Sequence, residues 1–171
     1  MVELEGQGWE DIACVECCGI VGLGESYFYF RRWNMIEYRR IKTIEEDQLA
    51  ELFLSVDWFS GKFPEKLRMA FINSSRVISA WDDDKLVGLI RCLDDGVWQA
   101  TIDCLLVNPE YQGRGIASAL LKMILDDCKE FLYVDVLPDK GNVQFYLKHG
   151  FEVTEERQPL QISSKTWIEH A

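Results

Sequence analysis

The chain has 171 residues, 48% of them apolar, with six tryptophans, enough for one domain around a real core. Its formal net charge of −11 disfavours nucleic acid as a general partner, which needs a basic face, and is compatible with a cationic acceptor such as an amine. No apolar run is long enough to span a bilayer and no basic segment opens the chain, so a cytoplasmic protein with no membrane partner is expected.

Residues 1–34 differ from the rest, with scattered glycines and a cluster of Cys14, Cys17 and Cys18. A Cys-x-x-Cys pair is half a zinc site, but no second Cys or His pair stands at ligand spacing, so no metal is expected. Cys92, Cys104 and Cys128 fall singly in core elements, where a free thiol acts as a small hydrophobe. We expect an N-terminal extension over 1–34, with enough alternation at 27–32 for a strand, and a domain over 35–171.

That domain opens with a strand over 35–41. Thr43 and Glu46 have the spacing of a capping box, and Leu49, Leu52, Phe53 and Val56 continue at helical spacing. An aromatic loop follows, in which Trp58, Phe59 and Phe63 either line a pocket or pack on the sheet. Pro64 suits the first turn of a second helix, to about residue 72. Strands are expected over 76–81, 86–93 and 97–107, with polar turns between them. A helix over 115–128 leads to an apolar, β-branched run at 131–137, which has the character of a buried parallel strand. Asn142 can cap a short helix that Gly150 closes, and strands are expected at 151–154 and, more weakly, at 160–168. The sum is an α+β mixed sheet with one parallel pair at its centre and helices on both faces.

The chemistry concentrates where the strand ending at Val107 meets the next helix, in VNPEYQGRGIASALL. Gly113 and Gly115 let the backbone turn sharply and aim its N–H groups at one point. The free N–H groups of the helix start join them, and the result suits a diphosphate. Glycines needed only for a tight turn would give the same letters. No G-K-[ST] or G-x-G-x-x-G follows, so neither a Walker loop nor a dinucleotide fingerprint is present.

Gln112, Gly115 and Ala117 fill the pattern [QR]-x-x-G-x-[GA], and with QFYLKHGF downstream the stretch resembles the GNAT (GCN5-related N-acetyltransferase) superfamily. The central strand and the second segment are similar to the branch with plant-type serotonin acetyltransferases and to bacterial GNATs of unassigned substrate. The resemblance covers about 35–168 and implies a splayed parallel strand pair that admits acetyl-CoA as co-substrate. By that resemblance the backbone of Leu105, Leu106 and Val107 would hold the pantetheine. Gln112, Gly113, Arg114, Gly115, Ile116, Ala117 and Ser118 would hold the pyrophosphate. The resemblance also places the acceptor beneath the first two helices. The family's usual Asn, seven residues before the Tyr, is here Asp139, so Asn142 stands in its place only through a shifted helix start.

Acetyl transfer to an amine needs a base for the amine's proton and an acid for the leaving thiolate. Tyr146 occupies the position of the family's acid; it could also be a packed aromatic beside Phe145. Asp103, an ionisable group inside TIDCLLV, and Asp135 in the following strand compete as base, and either could be structural. His149 and His170 are expected at helix ends or the surface. The expected activity is direct N-acetylation of a primary amine, on a small molecule or a protein. The alternative is a non-catalytic acyl-CoA-binding module. Exposed terminal strands would allow a homodimer.

Overall fold

The computed structural model describes residues 35–155 and 158–162. Its strands are β1 (Glu37–Arg39), β2 (Arg76–Asp82), β3 (Lys85–Asp94), β4 (Gln99–Val107) and β5 (Tyr133–Val136). They form one sheet in the order β1-β2-β3-β4-β5. All pairs are antiparallel except β4 with β5. The helices among the described residues are α1 (Glu46–Ser55), α2 (Pro64–Ile72), α3 (Ile116–Asp127) and α4 (Val143–Leu147), with short 3₁₀ turns between several of them.

Alternation along the strands divides the core in two. Val77, Trp81, Leu89 and Leu106 are buried with Leu49, Leu52 and Phe53 of α1 and Leu67 and Phe71 of α2. Their strand neighbours Ile78, Ile90 and Ile102 are buried with Ile116, Leu120, Leu121 and Ile124 of α3. Helices therefore cover both faces, as the α+β expectation required. At Gly88 on β3, an added Cβ would meet Ile116 Cγ2 and Leu120 Cδ1 at 3.2 Å, a tight contact, so α3 packs close to the sheet there.

Four local expectations need correction. Thr43 does not cap α1: the N-cap is Glu45, with no side-chain cap bond, and the chain is still extended there. Ile44, between Thr43 and the helix, is buried in the core under α1 and α2, which fixes the chain there in place of a side-chain cap. Acidic Glu46 and Asp47 then occupy the first turn, where they suit the helix dipole. Asn142 does stand at the N-cap of α4, but its side chain makes no cap bond. The run at 131–137 contracts to four residues at the end of the sheet order, and Leu132 and Leu137 are exposed, so β5 is not a buried strand. Residues 151–154 form no strand, and 158–162 are irregular. The strand expected at 27–32, the extension over 1–34 and the rest of 160–168 lie outside the described residues.

Candidate active site

β4 and β5 are paired only from Gln99↔Tyr133 to Ile102↔Val136. β4 then runs on alone on that side through Val107. On its other edge, Asp103 faces Arg91 and Leu106 faces Leu89, so Cys104 and Leu105 both stand against Ile90. This is a β-bulge, and Cys104 takes a left-handed φ of 51° to make it. A non-glycine residue held there costs about 1–3 kcal/mol, a strain that tends to gather at functional sites.

The gap opens into a cleft lined by Asp103, Asp135, Asp139, His149 and Tyr146, so both candidate carboxylates and the candidate acid come together. Tyr146 is buried in the α3 core between the rings of Phe145 and Phe151 at 5.2 and 5.5 Å. Its hydroxyl makes no hydrogen bond among the described residues, and Tyr146 is one of the residues lining the cleft. Burial pushes its phenol pKa up, and the charges of Asp103 and Asp139 push the same way. Asp135 accepts from Gln99 Nε2 at 2.6 Å. His149 sits at the end of α4, its Nδ1 2.8 Å from the Phe145 carbonyl oxygen.

Asp103 is ion-paired. Arg91 donates to its Oδ2 through Nε at 2.9 Å and also through Nη2, and Cys104 Sγ donates at 3.3 Å. Burial pushes the Asp103 carboxyl up, but the bonds and charge of Arg91 outweigh it and hold the pKa below the usual range. Burial and the neighbouring carboxylate push the Cys104 thiol up to about 12.

At the far end of β4, Gly113 and Gly115 have φ of 74° and 79°, so both need the left-handed freedom of glycine. Nothing stands within 4 Å of where either would carry a Cβ. Gly115 is the N-cap of α3 and supplies no side-chain cap, which leaves the first N–H groups of the helix open toward that space. The loop is braced from behind. Gln112 Nε2 donates to the Val107 carbonyl at 3.0 Å, and Arg114 donates to the Glu110 carbonyl at 2.8 Å while its guanidinium covers the Tyr111 ring. Tyr111 in turn donates to Asp82 on β2 at 2.7 Å. Asn142 is exposed and does not line the cleft, whereas Asp139 does.

On the other face, Phe53, Trp58, Lys66, Phe71, Arg91 and Cys104 are among the residues lining a pocket of about 300 Å³ beneath α1 and α2. Of the two alternatives left open for the aromatic loop, Trp58 takes the pocket-lining one. Phe59 and Phe63 do not; they stack edge-to-face on each other at 5.5 Å, because Phe63 turns into the protein at the start of α2.

The acetyltransferase (GNAT) family model matches residues 30–151. The chain belongs to that family. It is 30% identical over 120 residues to an N-acetyltransferase of Prochlorococcus marinus named ycf52-like, covering 67% of this chain and 66% of that protein. It is 34% identical over 76 residues to the chloroplastic GCN5-related N-acetyltransferase 2 of Arabidopsis thaliana, of which it spans 30%. Among solved structures, a GNAT acetyltransferase of Streptococcus pneumoniae matches with a TM-score of 0.66 and 30% identity, covering 75% of this chain and 98% of that one. A probable acetyltransferase of Staphylococcus aureus, at 23% identity, shares the fold with a TM-score of 0.69 over 76% of this chain and all of the other. The mixed sheet with its parallel pair is therefore a GNAT fold.

Sequence reasoning missed Arg91, Cys104 and the Tyr111–Asp82 brace. Arg91 carried a signal: it is a lone cation inside LVGLIRCL, one strand before the lone anion of TIDCLLV. Two opposite charges in adjacent apolar strands are the pattern of a cross-strand ion pair. Among the described residues no cluster of three or more His, Cys, Asp or Glu could hold a metal, and no helix is long and apolar enough to cross a membrane.

Proposed function

We propose that this GNAT protein transfers acetyl from acetyl-CoA directly to a primary amine. The observation that carries the reading is the unpartnered stretch of β4 beyond Ile102, with Tyr146 lining the cleft beside it and the glycine cradle at its end. The cradle of Gly113, Arg114, Gly115, Ile116, Ala117 and Ser118 fits a pyrophosphate: it is open, left-handed at both glycines and backed by a helix N-terminus. Gln112 acts by holding that loop to Val107, whose carbonyl is thereby occupied. Leu105 and the Val107 N–H remain for the pantetheine amides, while the Leu106 backbone is paired with Leu89 on β3; Asn142 would contribute only from outside the cleft.

When bound, acetyl-CoA supplies the thioester. Tyr146 gives its proton to the departing sulfur, a role favoured by a pKa that keeps the phenol protonated. Asp103 receives the amine and passes its proton to cleft water. A carboxylate held acidic by Arg91 orients an ammonium well but keeps a proton poorly. Asp135, across the cleft, is the competing acceptor of that proton.

Acetyl-CoA should raise the melting temperature, because a ligand of the folded state at a hundred times its Kd adds about 2.7 kcal/mol. Gly115→Glu should abolish the shift by placing an anion in the phosphate site. Gly115→Ala, which carries the same backbone strain without the charge, serves as the folding control. A full shift in folded Gly115→Glu would remove the pyrophosphate assignment. Amine-dependent release of free thiol separates the enzyme from a binding module.

A further inference from the structure

The pocket under α1 and α2 has a charge pattern opposite to that of the whole molecule. Its walls are the rings of Phe53, Trp58 and Phe71, and its lining cations are Arg91 and Lys66. No carboxylate is among the residues that line it. Arg91 uses Nε and Nη2 on Asp103, and its side chain also interacts with the Cys104 thiol. The Arg91 side chain is 18% exposed and lines the pocket, so its positive charge is presented there. Asp103, its partner, lines the neighbouring cleft. A cation and an anion in contact thus stand where the two cavities adjoin, one charge available to each side.

We propose that the acceptor is a free α-amino acid with an apolar, preferably aromatic, side chain. Such a zwitterion carries an ammonium and a carboxylate on one carbon, the mirror image of the Asp103–Arg91 pair. Its ammonium would meet Asp103 at the cleft, its carboxylate Arg91, and its side chain the three rings. A pocket of about 300 Å³ lies at the small end of ligand sites and suits one side chain rather than a polymer. An amine without a carboxylate would leave the charge of Arg91 unanswered on the pocket side, and a polyamine would bring further cations against Arg91 and Lys66. The N-terminal residue of a protein lacks the α-carboxylate altogether. The reaction balances: the C–S bond breaks as the N–C bond forms, and ammonium plus thioester give amide, free thiol and one proton to solvent.

This inference rests on the acetyltransferase reading, and the experiment separates the two. With coenzyme A present, thermal shift and calorimetry are run with L-phenylalanine, 3-phenylpropionate, phenethylamine and spermidine, and acetyl-CoA alone is tested in parallel. Phenylalanine and phenylpropionate should protect. Phenylalanine should exceed phenethylamine by about tenfold or more in affinity and in kcat/KM, the usual worth of one charge-assisted bond. Arg91→Gln should bring that ratio to within about threefold, and Lys66→Gln should lower it while leaving the fold intact, since Lys66 is exposed. Equal or better binding of phenethylamine or spermidine overturns the proposal. So does protection by acetyl-CoA alone, with no response to either carboxylate. Failure of acetyl-CoA itself to protect would instead sink the parent reading.

Discussion

Tyr146 and Asp103 are both ionisable, both line the cleft and have been shifted in opposite directions. Burial, followed by the charges of Asp103 and Asp139, raises the phenol. Tyr146→Phe removes only the hydroxyl, so the ring contacts with Phe145 and Phe151 and the binding of acetyl-CoA should persist. Turnover should fall by about ten- to a thousandfold, with water replacing part of the acid's effect. Single-turnover thiol release measures this, and an unchanged rate would leave Tyr146 a packing residue. Asp103 has a lowered folded pKa, so its ion pair stabilises the protein above the unfolded value of about 3.9 and is lost as pH falls through the lower folded value. Asp103→Asn should therefore cost about 1 kcal/mol at pH 7, a modest figure because the side chain is 44% exposed. The difference from wild type should narrow as the pH falls from the unfolded value through the lower folded one. Denaturant midpoints followed from pH 7 into acid test this; a gap that does not narrow would mean lost packing instead of a lost charge.

Among the elements, what could be read from the sequence was local and periodic. Leu49, Leu52 and Phe53 announced α1, Pro64 marked the first turn of α2, and Asp83 and Asp84 sit in the turn between β2 and β3. The glycine pair before α3 and the Tyr in α4 were legible for the same reason, since each is a short motif on one element. What was not legible depends on partners far along the chain. Thr43 has good capping chemistry, but the chain there is fixed by the burial of Ile44. The apolar letters of 131–137 cannot tell a central strand from one at the end of the sheet. Arg91 meets Asp103 only because the register of β3 and β4, with its bulge at Cys104, sets them opposite each other. The same dependence gives Gly88 its importance. Ile116 and Leu120 are buried, and a Cβ at 3.2 Å from each requires them to shift by a few tenths of an ångström, so Gly88→Ala should destabilise by about 1–3 kcal/mol. The tilt that it forces on α3 should also weaken acetyl-CoA binding. Chemical denaturation and acetyl-CoA titration of this variant check both effects, and a neutral result in both would show that α3 can shift at no cost.

At the scale of the whole molecule, both clusters of buried residues found among the described residues, with the hydrophobic groups packed on them, fall between Ile36 and Phe151. A chain beginning at Met35 should accordingly fold and bind acetyl-CoA. Its melting curve checks this, and loss of cooperative unfolding would assign the first 34 residues to the domain. The cradle on α3 has a further consequence at this scale. In the proposed role it would attract an anion mainly through backbone N–H groups and a helix end, which act over a few ångströms, while the molecule around it carries a net charge of −11. The proposed co-substrate, a polyanion, would thus be repelled at long range and held only on arrival. Dissolved ions screen the repulsion, whose reach is about 10 Å at 0.1 M salt, more than they screen the contact itself. The association rate of acetyl-CoA should rise with ionic strength, the reverse of the usual steering of a charged ligand toward a protein of opposite sign.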